Sequence, residues 1–188
     1  GLFGPMGLGG MIVGEGVEIR PPRFGGTGVK SIQPLHPDDY PYRLEAGTPP
    51  LAGIAGLHEA QNWFADLGRE MMAGAAPFDA PHGMLCRAAV EHIYSVERDH
   101  TSRLLGAFAD MDHVTVYGPN GDQPRVAALS INVDGLTADK TGALLDEAHG
   151  VCVRPGLHCA PLVHEDEGTV ARKGTVRFSP GYFTDGAD

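Results

Sequence analysis

A guanidinium, an imidazole and a thiol crowd into the stretch "GVCVRPGLHCAP", residues 150–161, as Arg154, His158 and Cys159. A strand expected to end at Arg154 is followed by a Pro-Gly turn, so His158 and Cys159 are presented in the loop behind it. Only the thiolate of a cysteine is a nucleophile, and neighbouring cations favour that form, so the pattern suits covalent catalysis by Cys159. A buried structural cysteine beside a surface histidine is the competing reading. A zinc site built from Cys152, His158, Cys159 and His164 lacks the paired Cys-x-x-Cys spacing, and Cys152 is expected within a strand, so no metal is expected.

Two further segments carry residues of interest. "FGGTG", residues 24–28, places Thr27 among glycines, where backbone N–H groups can approach a ligand closely, although short glycine clusters also make ordinary turns. "GTVRFSPGYF", residues 174–183, carries Arg177 in an alternating pattern that fits an exposed edge charge equally well. Arg43 and Glu45 in "YRLEAGTPP" read by themselves as a surface ion pair, worth about 0–1 kcal/mol.

Bulk composition narrows the partners. With 24 acidic against 14 basic residues the 188-residue chain carries a net charge of -10, which opposes nucleic acid or an anionic membrane surface as partner. There is no run of about 18 apolar residues and no positively charged leader ahead of an apolar core, so neither a membrane span nor a secretory signal is expected. Three cysteines, Cys86, Cys152 and Cys159, make no disulfide framework, and reduced thiols in the cytoplasm are the default. The 27 glycines and 15 prolines crowd residues 1–56, thin out over 85–117 and return near 118–124 and 150–181, marking turns and close backbone approaches.

The elements that would position these residues follow from periodicity. Residues 8–13 and 17–20 around "GEG" read as a hairpin. A helix follows over residues 48–68, with Thr48 as cap, Pro49 in the first position, Gly68 as stop, and Ile54, Leu57, Trp63, Phe64 and Leu67 at helical spacing. After a connector over 69–83, a long helix over 84–111 is marked by Leu85, Ala89, Ile93, Val96, Leu104, Phe108 and Met111. "HVTVYG" and "RVAALSINV" then read as strands, residues 137–150 as a helix between Thr137 and Gly150, and "VCVRPG" and "GTVRFSPGYF" as two more strands. This order predicts an α/β or α+β layer.

The opening "GLFGPMGLGG" admits three readings. Pro5 and the glycines oppose a membrane-active helix, and a single Gly-Leu-Phe-Gly opposes a repetitive tail. A glycine-rich loop entering a buried strand remains.

Five ordered segments together resemble the class V aminotransferase-like, cysteine desulfurase family. "VRPGLHCAP" and "GTVRFSPGYF" are similar to its C-terminal part. "GLFGPMGLGGMIV" is similar to the loop and strand after its cofactor-binding lysine, "FGGTG" to its phosphate-contact segment, and "YRLEAGTPPLAGIAGL" to its R-x-E-x-G-T-P signature. The resemblance implies a pyridoxal-phosphate (PLP)-dependent transferase of fold type I. Residues 1–83 would end the cofactor-binding large domain, and 84–188 would form most of the small C-terminal domain, without its final helix. It implies Cys159 as the nucleophile that takes sulfur from L-cysteine as a persulfide, Arg177 as the binder of the substrate carboxylate, and Arg154 as an electropositive neighbour of the active-site loop. Thr27 and Gly26 would contact the pyridoxal phosphate of a partner subunit in a homodimer, with Thr27 turned toward that partner, and a sulfur-acceptor protein could follow. The Schiff-base lysine would lie just before Gly1, since Lys30, Lys140 and Lys173 do not match it. The chain alone is therefore expected to be inactive and to need the N-terminal half, with Arg177 facing the cleft near Gly1. Within the family a selenocysteine lyase, transaminase or epimerase is the alternative, and outside it a non-catalytic dimerisation or scaffold half. The charged "VARKG" after Cys159 departs from the family's apolar lead-in, so a remodelled loop is expected there.

Overall fold

The computed structural model describes residues 2–75, 77–119 and 123–185, and it divides into two compact units, Gly1–Arg87 and Ala88–Asp188. The expectation tied to Gly1 lies outside the described residues.

The first unit is built on helix α1, Leu51–Met71, with the start of helix α2, His82–Ala109. Phe64, Ala65, Leu67 and Gly68 form the buried face of α1. Thr48 does not cap this helix, because Pro50 occupies the cap position and no side chain bonds there. Pro49 precedes another proline and is thereby disfavoured from helical backbone, so the helix starts after the pair. Nor does Gly68 end it. A Cβ on Gly68 would sit 1.9 Å from the Leu85 carbonyl oxygen, so this glycine is a contact point within the helix, which runs on to Met71.

The glycines of the opening segment answer to α1 as well. Gly53 and Gly56, one turn apart on one helix face, leave room for Leu8 and for Pro5, whose Cγ would lie 2.5 Å from a Cβ on Gly56. Phe3 stacks on Phe64 at 5.4 Å and meets Trp63 edge-on at 5.5 Å. The start of the chain is thus a loop laid along a helix, while Leu2 and Met6 stay exposed. The expected hairpin over 8–20 is not formed. Only the turn survives, with the Val17 N–H donating to the Gly14 carbonyl at 3.2 Å. Met11, Ile12 and Val17 are exposed, and an isolated hairpin with no apolar face covered is marginal in water.

The second unit is a four-stranded antiparallel sheet with a helix packed on its apolar face. Strands β1 (Val114–Tyr117), β2 (Leu129–Val133), β3 (Arg154–Gly156) and β4 (Thr175–Phe178) lie in the order β1-β2-β4-β3. Helix α3, Ala138–His149, links β2 to β3 and ends at the left-handed Gly150. Alternation along each strand separates two faces. Ile131 and Val176 are register partners on the apolar face and, with Ala138 of α3, make the core on which Val114, Val116, Val133, Val153 and Phe178 pack. Phe108 of α2 closes it against Phe178 at 5.3 Å. The opposite face is polar, carrying Thr115, Ser130, Asn132, Arg154, Thr175 and Arg177.

"VCVRPG" yields a shorter strand than expected. It begins at Arg154 rather than ending there, and Cys152 is exposed ahead of it. Pro155 has no N–H to donate, which confines β3 to the sheet edge. The remodelled loop after Cys159 takes shape as helix α4, Pro161–Asp166, and a 3-10 turn, Val170–Arg172. The charged "VARKG" has a structural cause: Arg172 meets Asp134 at 3.2 Å and Lys173 meets Asp139 at 2.7 Å. Lys173 holds the Asp139 carboxyl down at about 2, with the Thr137 hydroxyl adding to the effect. No helix among the described residues is long and apolar enough to cross a membrane.

Candidate functional site

The polar face of the sheet gathers four of the residues singled out from the sequence. Arg154 on edge strand β3 is the register partner of Arg177 on β4, and Ser130 of β2 pairs with Arg177 from the other side. Two guanidiniums opposite one another on one face repel. Among the described residues neither is in an ion pair, since the carboxylates that bind cations serve Lys30, Arg172 and Lys173. The Arg177 Nε is buried and without a partner. An arrangement of this kind asks for an anion, and a planar fork of donors matches a carboxylate.

Beyond β3 the backbone turns through two consecutive left-handed residues, His158 at φ 52° and Cys159 at φ 60°. Neither is glycine, so the turn is held against a backbone preference. It delivers Cys159 to the surface with its Sγ accepting a hydrogen bond from Arg154 Nη2 at 3.8 Å. A guanidinium thus stands at the thiol, in the place a thiolate's counter-ion would take.

His158 is tied down from below. Its Nε2 lies 3.1 Å from the Oγ1 of Thr175, a buried residue on the same face of β4 as Arg177. Its ring packs 5.6 Å from that of His164, whose Nδ1 lies 2.7 Å from the buried Thr169 hydroxyl. Burial lowers the His158 pKa, and the nearby charges of Arg177, His164 and Arg154 lower it further, so the imidazole is held neutral.

Thr27 and Gly26 belong to the first unit. Thr27 is not turned outward as expected. It is 3% exposed, and its Oγ1 accepts hydrogen bonds from the N–H groups of Val29 at 3.2 Å and Lys30 at 3.1 Å. With both lone pairs engaged, its hydroxyl proton is left to donate. Among the described residues the N–H groups of Gly25, Gly26, Thr27 and Gly28 donate to no protein acceptor, and nothing lies within 4 Å of a Cβ built on Gly25 or Gly26. A turn with unused donors and open glycines fits a phosphate. His36 braces it, with Nδ1 3.0 Å from the Gly25 carbonyl and Nε2 3.0 Å from that of Arg43. Two carbonyls can both be served only by the doubly protonated ring, and the bond to Gly25, then that to Arg43, raises its pKa.

The parts that sequence reasoning missed are these supports. Thr175 was within reach, because it lies two residues before Arg177 on a strand and so shares its face. His164 stands out in the sequence only as a possible zinc ligand, and Thr169 and His36 carry no signal of their own, since their partners are brought to them by the fold.

Comparison with known proteins adds to this geometry. The family model described as Aminotransferase class-V matches residues 2–76 and 68–188. A probable cysteine desulfurase of Vibrio cholerae serotype O1 is 30% identical over 190 residues, covering 97% of this chain and 39% of that protein. A cysteine desulfurase of Haloferax volcanii is 28% identical over 174 residues, covering 90% of this chain and 35% of that protein. The apo structure of cysteine desulfurase from Thermococcus onnurineus NA1 superimposes with a TM-score of 0.65 at 26% identity, covering 89% of this chain and 36% of that one. The chain therefore spans little more than a third of the length of these relatives. With its mixed α/β architecture and its match along nearly the whole sequence, the chain belongs to the aminotransferase class-V family.

Proposed function

We propose that this chain supplies the C-terminal part of a pyridoxal-phosphate-dependent cysteine desulfurase of fold type I, which moves sulfur from L-cysteine onto Cys159 as a persulfide. Residues 1–83 would end the cofactor-binding domain and 84–188 would form the small domain. The observation that carries this reading is the unneutralised Arg154–Arg177 register pair with the Cys159 thiol 3.8 Å from Arg154. A carboxylate clamp and a nucleophile on one sheet face are what an amino acid whose sulfur is to be removed requires.

In this reading Arg177 binds the substrate carboxylate with its fork of donors, and Arg154 adds positive charge beside both carboxylate and thiol. The N–H groups around Gly26 hold the cofactor phosphate, in a homodimer that of the partner subunit, and the buried Thr27 hydroxyl shapes the turn that presents them. When bound, pyridoxal phosphate supplies an electron sink for bond breaking next to the substrate's α carbon. The Cys159 thiolate attacks the substrate sulfur. A sulfur–sulfur bond forms as the carbon–sulfur bond breaks, its electron pair stays with carbon, and a proton taken up there leaves alanine. The exposed position of Cys159 then suits hand-over to an acceptor protein. A free surface thiol of this kind fits the reducing cytoplasm.

The test is alanine release from L-cysteine by the whole enzyme, comparing Cys159→Ala with the unaltered protein. Loss of release with cofactor binding retained supports the reading. Unchanged release contradicts it and leaves a lyase of the family whose sulfur removal needs no thiol there, while no release from either protein leaves a transaminase or epimerase.

A further inference from the structure

We infer that His158 is a positioning residue, whose imidazole latches onto Thr175 and thereby holds the left-handed turn that sets the Cys159 thiol beside Arg154. Its catalytic meaning rests on the proposed sulfur-transfer reading, but its test does not.

Two adjacent non-glycine residues at φ 52° and 60° do not persist unless something over-determines them. Cys159 itself is exposed, and its thiol meets Arg154 only at 3.8 Å, so the thiol does not anchor the turn. His158 can. It precedes Cys159 directly, and its Nε2 reaches 3.1 Å to a hydroxyl that is 2% exposed on a central strand. Thr175 pairs with Gly156 of β3, and its strand β4 lies between β3 and β2, so the anchor point belongs to the interior of the sheet. His164, 5% exposed and held by Thr169 at 2.7 Å, packs on the His158 ring and limits its swing. The same anchor strand carries Arg177, so one element fixes both the carboxylate clamp and, through His158, the height of the thiol above it. Arg154, Arg177 and His164 all lie near the ring, and burial together with the positive charge of the two arginines favours its neutral state.

The test is the rate of Cys159 alkylation by iodoacetamide, read by peptide mass mapping with the exposed Cys152 as internal standard. Thr175→Val removes the hydroxyl at nearly constant shape and is expected to lower the Cys159-to-Cys152 rate ratio roughly two- to tenfold, the worth of one hydrogen bond. Thr175→Ser keeps the hydroxyl and restores the ratio. His158→Gln, whose amide nitrogen can stand where Nε2 stands, keeps most of it, and His158→Ala loses it as Thr175→Val does. A ratio unchanged in both Thr175→Val and His158→Ala overturns the latch, as does a Thr175→Ser variant that falls as far as Thr175→Val. Should Thr175→Val fail to fold, the comparison of His158→Gln with His158→Ala decides alone. Alkylation needs no turnover, so a latch that holds while alanine release fails would indict the desulfurase reading and not the latch.

Discussion

Arg177→Met separates a residue kept for structure from one kept for a ligand. Arg177 and Arg154 are opposite one another in register, without a counter-ion among the described residues. Two unit charges about 7 Å apart repel by about 0.6–1.2 kcal/mol at an effective dielectric constant of roughly 40–80. This agrees with the range of about 0.2–1 kcal/mol for cross-strand pairs. Methionine keeps an apolar stem on the half-buried site, so little packing is lost. The variant is therefore expected to be more stable by about 0.2–1 kcal/mol, a rise of about 1–5 °C in Tm for a unit of this size. Ligand binding should move the other way. Losing one partner of a hydrogen-bonded charge pair costs about 2–5 kcal/mol, a drop of roughly thirtyfold to several thousandfold in kcat/KM. Calorimetry of both proteins with and without L-alanine, which carries the substrate carboxylate but no thiol, reads both effects. The unaltered protein should gain Tm with L-alanine and Arg177→Met should not. A variant that is less stable than its parent, or that keeps the full L-alanine shift, would refute the assignment of Arg177 as an unpaired carboxylate clamp.

Three further outcomes follow from other contacts. Gly68→Ala gains about 1 kcal/mol of helix propensity yet drives a Cβ to 1.9 Å from the Leu85 carbonyl oxygen, so a net loss of about 3–5 kcal/mol is expected in urea unfolding. Asp139, held at about 2 by Lys173, contributes stability that is complete above the ordinary carboxylate value and lost as pH falls toward 2; Asp139→Asn should flatten the acid limb of the stability profile. His36 has the opposite sign, because its pKa is raised above 6.5 by the Gly25 and Arg43 carbonyls, with Asp38 adding to it. Its contribution is complete below that value and fades as pH rises through the higher folded-state value, so NMR titration should find the ring titrating above 6.5 and His36→Gln should remove the alkaline-side loss.

What could be read in advance was set by local pattern. The α2 periodicity, the β1 and β2 runs and the Gly150 stop are written in neighbouring residues, and the structure contains each of them. The failures share a cause. Gly68 reads as a stop because a sequence cannot show that the Leu85 backbone passes over it. Residues 8–13 looked like a strand, but a strand needs a partner, and among the described residues none pairs with it. Helix α4 does leave a signal, Pro161 at its first turn and Gly168 after its end. In the candidate site, Arg154, Arg177 and Cys159 were visible through the family resemblance. Their convergence was not, since it depends on the β3–β4 register. The inward turn of Thr27 and the support of His158 by Thr175 are tertiary facts with no local trace.

The central claim is that Cys159 is the residue that receives sulfur. The whole enzyme with pyridoxal phosphate should be incubated with L-cysteine under limiting conditions, alkylated to trap persulfides, and digested for mass spectrometry. One additional sulfur atom on the Cys159 peptide, with none on those of Cys86 and Cys152, is the predicted result. Turnover of L-cysteine with no added sulfur on Cys159, or with equal addition on all three thiols, would contradict the account.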